Sequence, residues 1–135
     1  MIVDTSALIA TFQEEEGHEP ILAALVEDEG FIPTPVSLEF ARVLSRRGFQ
    51  MADIDAFLEA LLSGPLSMIS FDQAATNIAI KANLIYGSGL GTGGKLNLLD
   101  LMVYGTAKSL DRPILCTGRD FASTDIPIHP ASRPV

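Results

Sequence analysis

Met1-Ile2-Val3-Asp4-Thr5-Ser6-Ala7-Leu8 decides the fold. A short, β-rich apolar run stops at an acid, and Thr5-Ser6 is a good helix start, so the segment predicts a strand feeding directly into a helix. The same alternation recurs downstream. Gly30 to Pro33 and Leu66 to Ile69 read as further strands, and Pro113 to Cys116 as a fourth. Helical spacing predicts Ser6 to Phe12, Glu19 to Val26, Pro35 to Arg47, Met51 to Leu62, a long helix opened by Phe71-Asp72 and ending near Tyr86, and Asn97 to Leu110. Ile126-Pro127-Ile128 is a candidate edge strand. Strands alternating with helices predict an α/β fold of three layers, with a central, mainly parallel sheet flanked by helices. In such sheets, sites form beyond the C-terminal ends of the strands.

A length of 135 residues suits one domain with a real core and is too short for two. Hydrophobic residues make up 47% of the chain, yet no apolar run approaches the roughly 18 to 20 residues of a membrane span, so no membrane role is expected. The opening residues carry no basic stretch or small-residue cleavage pattern, and a cytoplasmic location is the expectation. Cys116 is the only cysteine, which excludes an internal disulfide and a Cys-rich zinc site; within Ile114-Leu115-Cys116 it reads as a small core residue. A net charge of -8 excludes binding of nucleic acid by bulk electrostatics, and leaves a metal site and a few local cations to attract it.

Four acids stand where an acid needs a reason: Asp4 after the first strand, Glu39 in the third helix, Asp100 inside Leu98-Leu99-Asp100-Leu101-Met102-Val103, and Asp120 past the fourth strand. An ionised carboxylate among apolar neighbours is costly unless a cation or a set of donors compensates it. Hard cations such as Mg2+ and Mn2+ take oxygen ligands, and with such a site phosphodiester hydrolysis proceeds by metal-activated water. Each acid also has a structural alternative. Asp4 can cap the first helix, Glu39 can pair with Arg42 or Arg46, Asp100 can favour a helix N-terminus, and Asp120 can belong to a turn. Asp72 reads as an N-cap. The run Gly89-Leu90-Gly91-Thr92-Gly93-Gly94-Lys95-Leu96 imitates a phosphate loop, but Leu96 stands where Ser or Thr is required and a helix precedes it, so it reads as a flexible loop beside the site.

Taken together, Ile2-Val3-Asp4-Thr5-Ser6-Ala7-Leu8, Glu39, Leu96-Asn97-Leu98-Leu99-Asp100 with Ala107-Lys108, Leu115-Cys116-Thr117-Gly118-Arg119-Asp120-Phe121 and Thr124-Asp125-Ile126 resemble the PIN-domain ribonucleases, most closely the VapC-type toxins of bacterial toxin-antitoxin pairs. The resemblance covers essentially the whole chain, residues 1–135, as one PIN-like nuclease domain. It implies an endoribonuclease dependent on Mg2+ or Mn2+, usually a homodimer, silenced by a cognate antitoxin protein that covers the site. It also implies that Asp4, Glu39, Asp100 and Asp120 form the catalytic metal site, with Thr5, Ser6 and Thr117 as supporting hydroxyls. Two departures stand out: Leu99 precedes the helical acid where a small residue is common, and Arg119 occupies a turn position often held by a second acid. Arg42, Arg46, Lys95 and Arg119, close in sequence to the site acids, are candidates for gripping RNA phosphate. The apolar hairpin Pro35 to Leu62 is expected to contribute to a dimer or antitoxin interface. The rival functions are a PIN-like nuclease of RNA maturation or DNA cleavage, which would use the same residues, and a catalytically silent binding module.

Overall fold

The computed structural model describes residues 1–133. Strand β1 (Ile2–Val3) leads through Asp4 into α1 (Thr5–Phe12) and α2 (Glu19–Glu27). Strand β2 (Gly30–Pro33) runs straight into α3 (Thr34–Arg46), followed by α4 (Met51–Leu62) and β3 (Leu66–Ile69). Helices α5 (Gln73–Tyr86) and α6 (Leu98–Leu110) precede β4 (Ile114–Leu115). The strands form one sheet in the order β3-β2-β1-β4, every pairing parallel, with Ile2 beside both Phe31 and Ile114 and Val3 beside Leu115.

Side chains alternate between the faces of a strand, so the complete burial of both Ile2 and Val3 means that both faces of β1 are covered. The sheet is therefore a central layer with helices flanking it. Ile32, Ile114 and Leu115 join the same core, as do Leu8, Leu25, Phe40 and Val103 from the helices. Phe12 meets Phe40 and Phe57 edge-on, at centroid distances of 5.8 and 5.3 Å, which ties α1 to the α3–α4 hairpin.

Two expectations change in detail. Ile126 to Ile128 is not a strand: it meets the sheet only through a bridge between Ile114 and Ile128, because Pro127 lacks an N–H for a ladder. The glycine-rich stretch is closed at its base, where Gly87 bridges Leu96 and Ser88 N–H donates to Leu96 O at 2.9 Å. Asp72 caps α5 as expected, accepting from Ala75 N–H at 2.9 Å. No helix among the described residues is long and apolar enough to cross a membrane.

Candidate active site

Because β1 and β4 are parallel neighbours, Asp4 and Thr117 leave the sheet at the same edge. Asp4 N–H is tied to Leu115 O at 3.0 Å, so the acid is fixed by the ladder itself. Its carboxylate caps α1, accepting from Ser6 N–H at 3.2 Å and from the Ser6 hydroxyl at 2.5 Å. The capping role and a site role thus coincide in Asp4. Burial pushes Asp4 up from the ordinary carboxylate range, the two Ser6 bonds pull it down, and the charge of Glu39 pushes it up again.

Asp100 sits in the first turn of α6 within a reciprocal capping box. Its N–H donates to Asn97 Oδ1 at 2.8 Å, and its own Oδ2 accepts from Asn97 N–H at 3.1 Å. Burial is the main reason that its pKa rises to about 7; the Asn97 bond opposes this, and the charges of Asp4, Asp120 and Glu39 add to it. Asp100 therefore feels all three of the other acids. Glu39 is half-exposed on α3, with no ion pair to Arg42 or Arg46 among the described residues, and Asp120 is exposed in the turn after β4. Cys116, buried beneath them, has its thiol pushed up to about 12, chiefly by burial and then by Asp4. A buried thiol held protonated is a poor nucleophile and suits a core role.

The supporting residues fare unequally. Ser6 bridges two elements, donating to Asp4 and accepting from Thr117 N–H at 3.0 Å. Thr5 is buried and its hydroxyl has no hydrogen-bond partner among the described residues. Arg42, Arg46, Lys95 and Arg119 are all exposed, and none is in an ion pair among the described residues. Sequence reasoning quoted Asn97 without giving it a role, although Asn97-Leu98-Leu99-Asp100 has the spacing of a capping box. It gave no role to Ser132 and Arg133. Ser132 Oγ accepts from Cys116 N–H at 3.0 Å, Arg133 N–H donates to Cys116 O, and Gly118 N–H donates to Arg133 O, fixing the chain that carries Thr117 and Asp120. Gly118, at φ +84°, makes the turn that residues with a Cβ rarely adopt.

The donor set suits a hard cation in its chemistry: carboxylate oxygens, two of them on buried residues, with none of the four acids in an ion pair among the described residues. It is not a finished cage, since no three such side chains among the described residues converge closely enough to hold an ion.

The sheet is all parallel, Asp4 and Asp120 follow its neighbouring strands β1 and β4, and the PIN-domain family model matches residues 1–127. The chain belongs to the PIN-domain family. Its relatives there include ribonuclease VapC42 of Mycobacterium tuberculosis, 32% identical over 93% of this chain and 96% of the relative. Ribonuclease VapC30 of the same organism is 35% identical over 93% and 95%. Among solved structures, M. tuberculosis VapC20, described as a Sarcin-Ricin loop cleaving toxin, superposes with a TM-score of 0.73 at 14% identity, covering 93% of this chain and 95% of that one. VapBC2 from Rickettsia felis, bound to a DNA fragment from its promoter, gives 0.70 at 17% identity, with 94% of each chain covered. These structural likenesses speak to the fold.

Proposed function

We propose that residues 1–135 form a single PIN-like nuclease domain, a metal-dependent endoribonuclease that acts as the toxin of a type II toxin-antitoxin pair in the cytoplasm. The observation that carries this reading is the unpaired charge of the four acids: Asp100 feels Asp4, Asp120 and Glu39 together, and none of the four is in an ion pair among the described residues. Asp4, Glu39, Asp100 and Asp120 would hold Mg2+ or Mn2+. When bound, the cation supplies Lewis acidity toward water and offsets charge on the phosphate oxygens. The chain's own contribution is placement. Ser6 orients Asp4 and the Thr117 backbone, Asn97 orients Asp100, and the exposed Arg42, Arg46, Lys95 and Arg119 draw RNA phosphate toward the acids.

The names of the relatives support ribonuclease activity, and the toxin-antitoxin structures among the neighbours support a cognate antitoxin partner. Leu38, Phe49 and Met51 are exposed on the α3–α4 hairpin and favour that surface for the homodimer or antitoxin contact. The test is cleavage of labelled total RNA by purified, antitoxin-free protein in Mn2+ or Mg2+, beside chelator and Asp100→Asn. Discrete cleavage lost in both controls is expected. No cleavage by a folded chain overturns the nuclease reading in favour of a binding module.

A further inference from the structure

On a chain of net charge -8 with three lysines and two tyrosines, Lys81, Lys108, Tyr86 and Tyr104 line one cavity of about 450 Å³ between α5 and α6. Asp125 closes its end. Its carboxylate accepts from Tyr104 Oη at 2.5 Å and from Lys108 Nζ at 2.8 Å, which holds Lys108 at the rim, while Tyr86 packs against Tyr104 at a centroid distance of 5.5 Å. Ile78, Ala82 and Ile85 supply an apolar wall. Lys81 is exposed and has no ion-pair partner among the described residues.

We infer that this groove is a second RNA-contact site, in which Lys81 and Lys108 take a phosphate and the apolar wall with Tyr86 takes the base of a single strand. The inference rests on the ribonuclease reading and deepens it. Lys108 is paired with Asp125 and also feels Asp111, so the groove's unpaired cation among the described residues is Lys81, which on an acidic protein favours an anionic ligand. An apolar and aromatic wall beside cations suits an unpaired nucleotide, whose base has a flat face and whose phosphate is charged. Position supports the same partner. Asp100, Tyr104 and Lys108 follow one another at four-residue spacing on α6, so the groove lies about 12 Å along the helix from the acid cluster, within reach of one strand.

The test is binding of a fluorescent 12-nucleotide RNA to the full chain in chelator, where cleavage is absent, over a range of salt. Lys81→Glu is the primary variant because its side chain is exposed and unpaired; Lys108→Ala is the second, and a thermal melt of each checks folding. Affinity is expected to fall about tenfold in Lys81→Glu, and the slope of log affinity against log salt to shrink by about 0.7 for the lost phosphate contact in either variant. Unchanged affinity and slope in folded Lys81→Glu, with cleavage by the unaltered protein intact, overturns the groove and leaves the nuclease reading standing. Failure of the unaltered chain both to bind and to cleave RNA overturns both. Displacement of RNA by a poly-Glu peptide only in protein with Lys81 intact supports an anion site there, whereas peptide binding without RNA binding assigns the groove to an acidic protein and overturns the proposal.

Discussion

Ser6 and Thr117 are joined across the sheet edge: Thr117 N–H donates to Ser6 Oγ at 3.0 Å while that hydroxyl donates to Asp4 Oδ2 at 2.5 Å. One hydroxyl thus sets the start of α1, the Asp4 carboxylate and the exit of β4. Ser6→Ala leaves a part-buried Thr117 N–H unpaired and removes one of the bonds that favour ionised Asp4. The expected cost is about 1–3 kcal/mol of stability, read by urea unfolding. Cleavage is expected to fall with it, and a variant as stable and active as the original would show that the bridge is incidental.

Metal-free protein is expected to lose stability as pH rises. Asp100 moves from an ordinary 3.8 up to about 7 on folding, so between those values the folded chain holds a proton that the unfolded chain has released, and stability falls with increasing pH. Asp4 is raised too and acts in the same direction. Asp125 is lowered, mainly by its bond from Lys108, so its contribution is lost only in acid below this window. Thermal melts in chelator should give a higher Tm at pH 5 than at pH 8, with the difference reduced in Asp100→Asn. Mn2+ should raise the Tm at pH 8 in the original protein. A Tm that climbs from pH 5 to pH 8 without metal would contradict the assignment.

Asn97→Ala removes the side-chain half of the capping box on α6. The expected loss is about 1 kcal/mol, the usual worth of such a cap. A helix defect alone would leave Mn2+ affinity intact. Because Asn97 holds the residue that carries the Asp100 carboxylate, calorimetric titration is expected to show weaker Mn2+ binding, with Asn97→Ser recovering most of it.

Gly105→Ala tests the packing of α5 on α6 apart from any function. A Cβ built at residue 105 would lie 2.4 Å from the carbonyl oxygen of Ala75, a backbone atom that cannot swing aside. The helices must separate to accept it, at about 1–3 kcal/mol. Chemical denaturation should show this cost, and a neutral result would mean that the two helices do not meet as closely as Gly105 allows.

Much of the fold was legible because local rules and burial agree. Ile2-Val3 before Asp4-Thr5-Ser6 could be read as a strand running into a capped helix, and Asp72 as an N-cap, since both depend on neighbours in sequence. The acids stood out through the cost of charge among apolar residues. Their mutual influence was not legible, because it depends on distances between β1, α3, α6 and the turn after β4. Asn97 was within reach of the capping-box pattern; the backing of Cys116 and Gly118 by Ser132 and Arg133 was not, since no pattern in the sequence announces a bridge between Thr117 and Arg133.

The sequence by itself determined the segments that form β1 to β4 and α1 to α6, a mainly parallel sheet, and which carboxylates are conspicuous, because propensity, capping and hydrophobic spacing act over a few residues. Only the tertiary structure decided that Asp4 and Asp100 are buried within reach of one another's charge, that Ser6 spans two strand ends, and that two of the three lysines share a groove with both tyrosines. Those relationships join residues far apart in the chain, and burial and Coulomb interaction depend on separation in space.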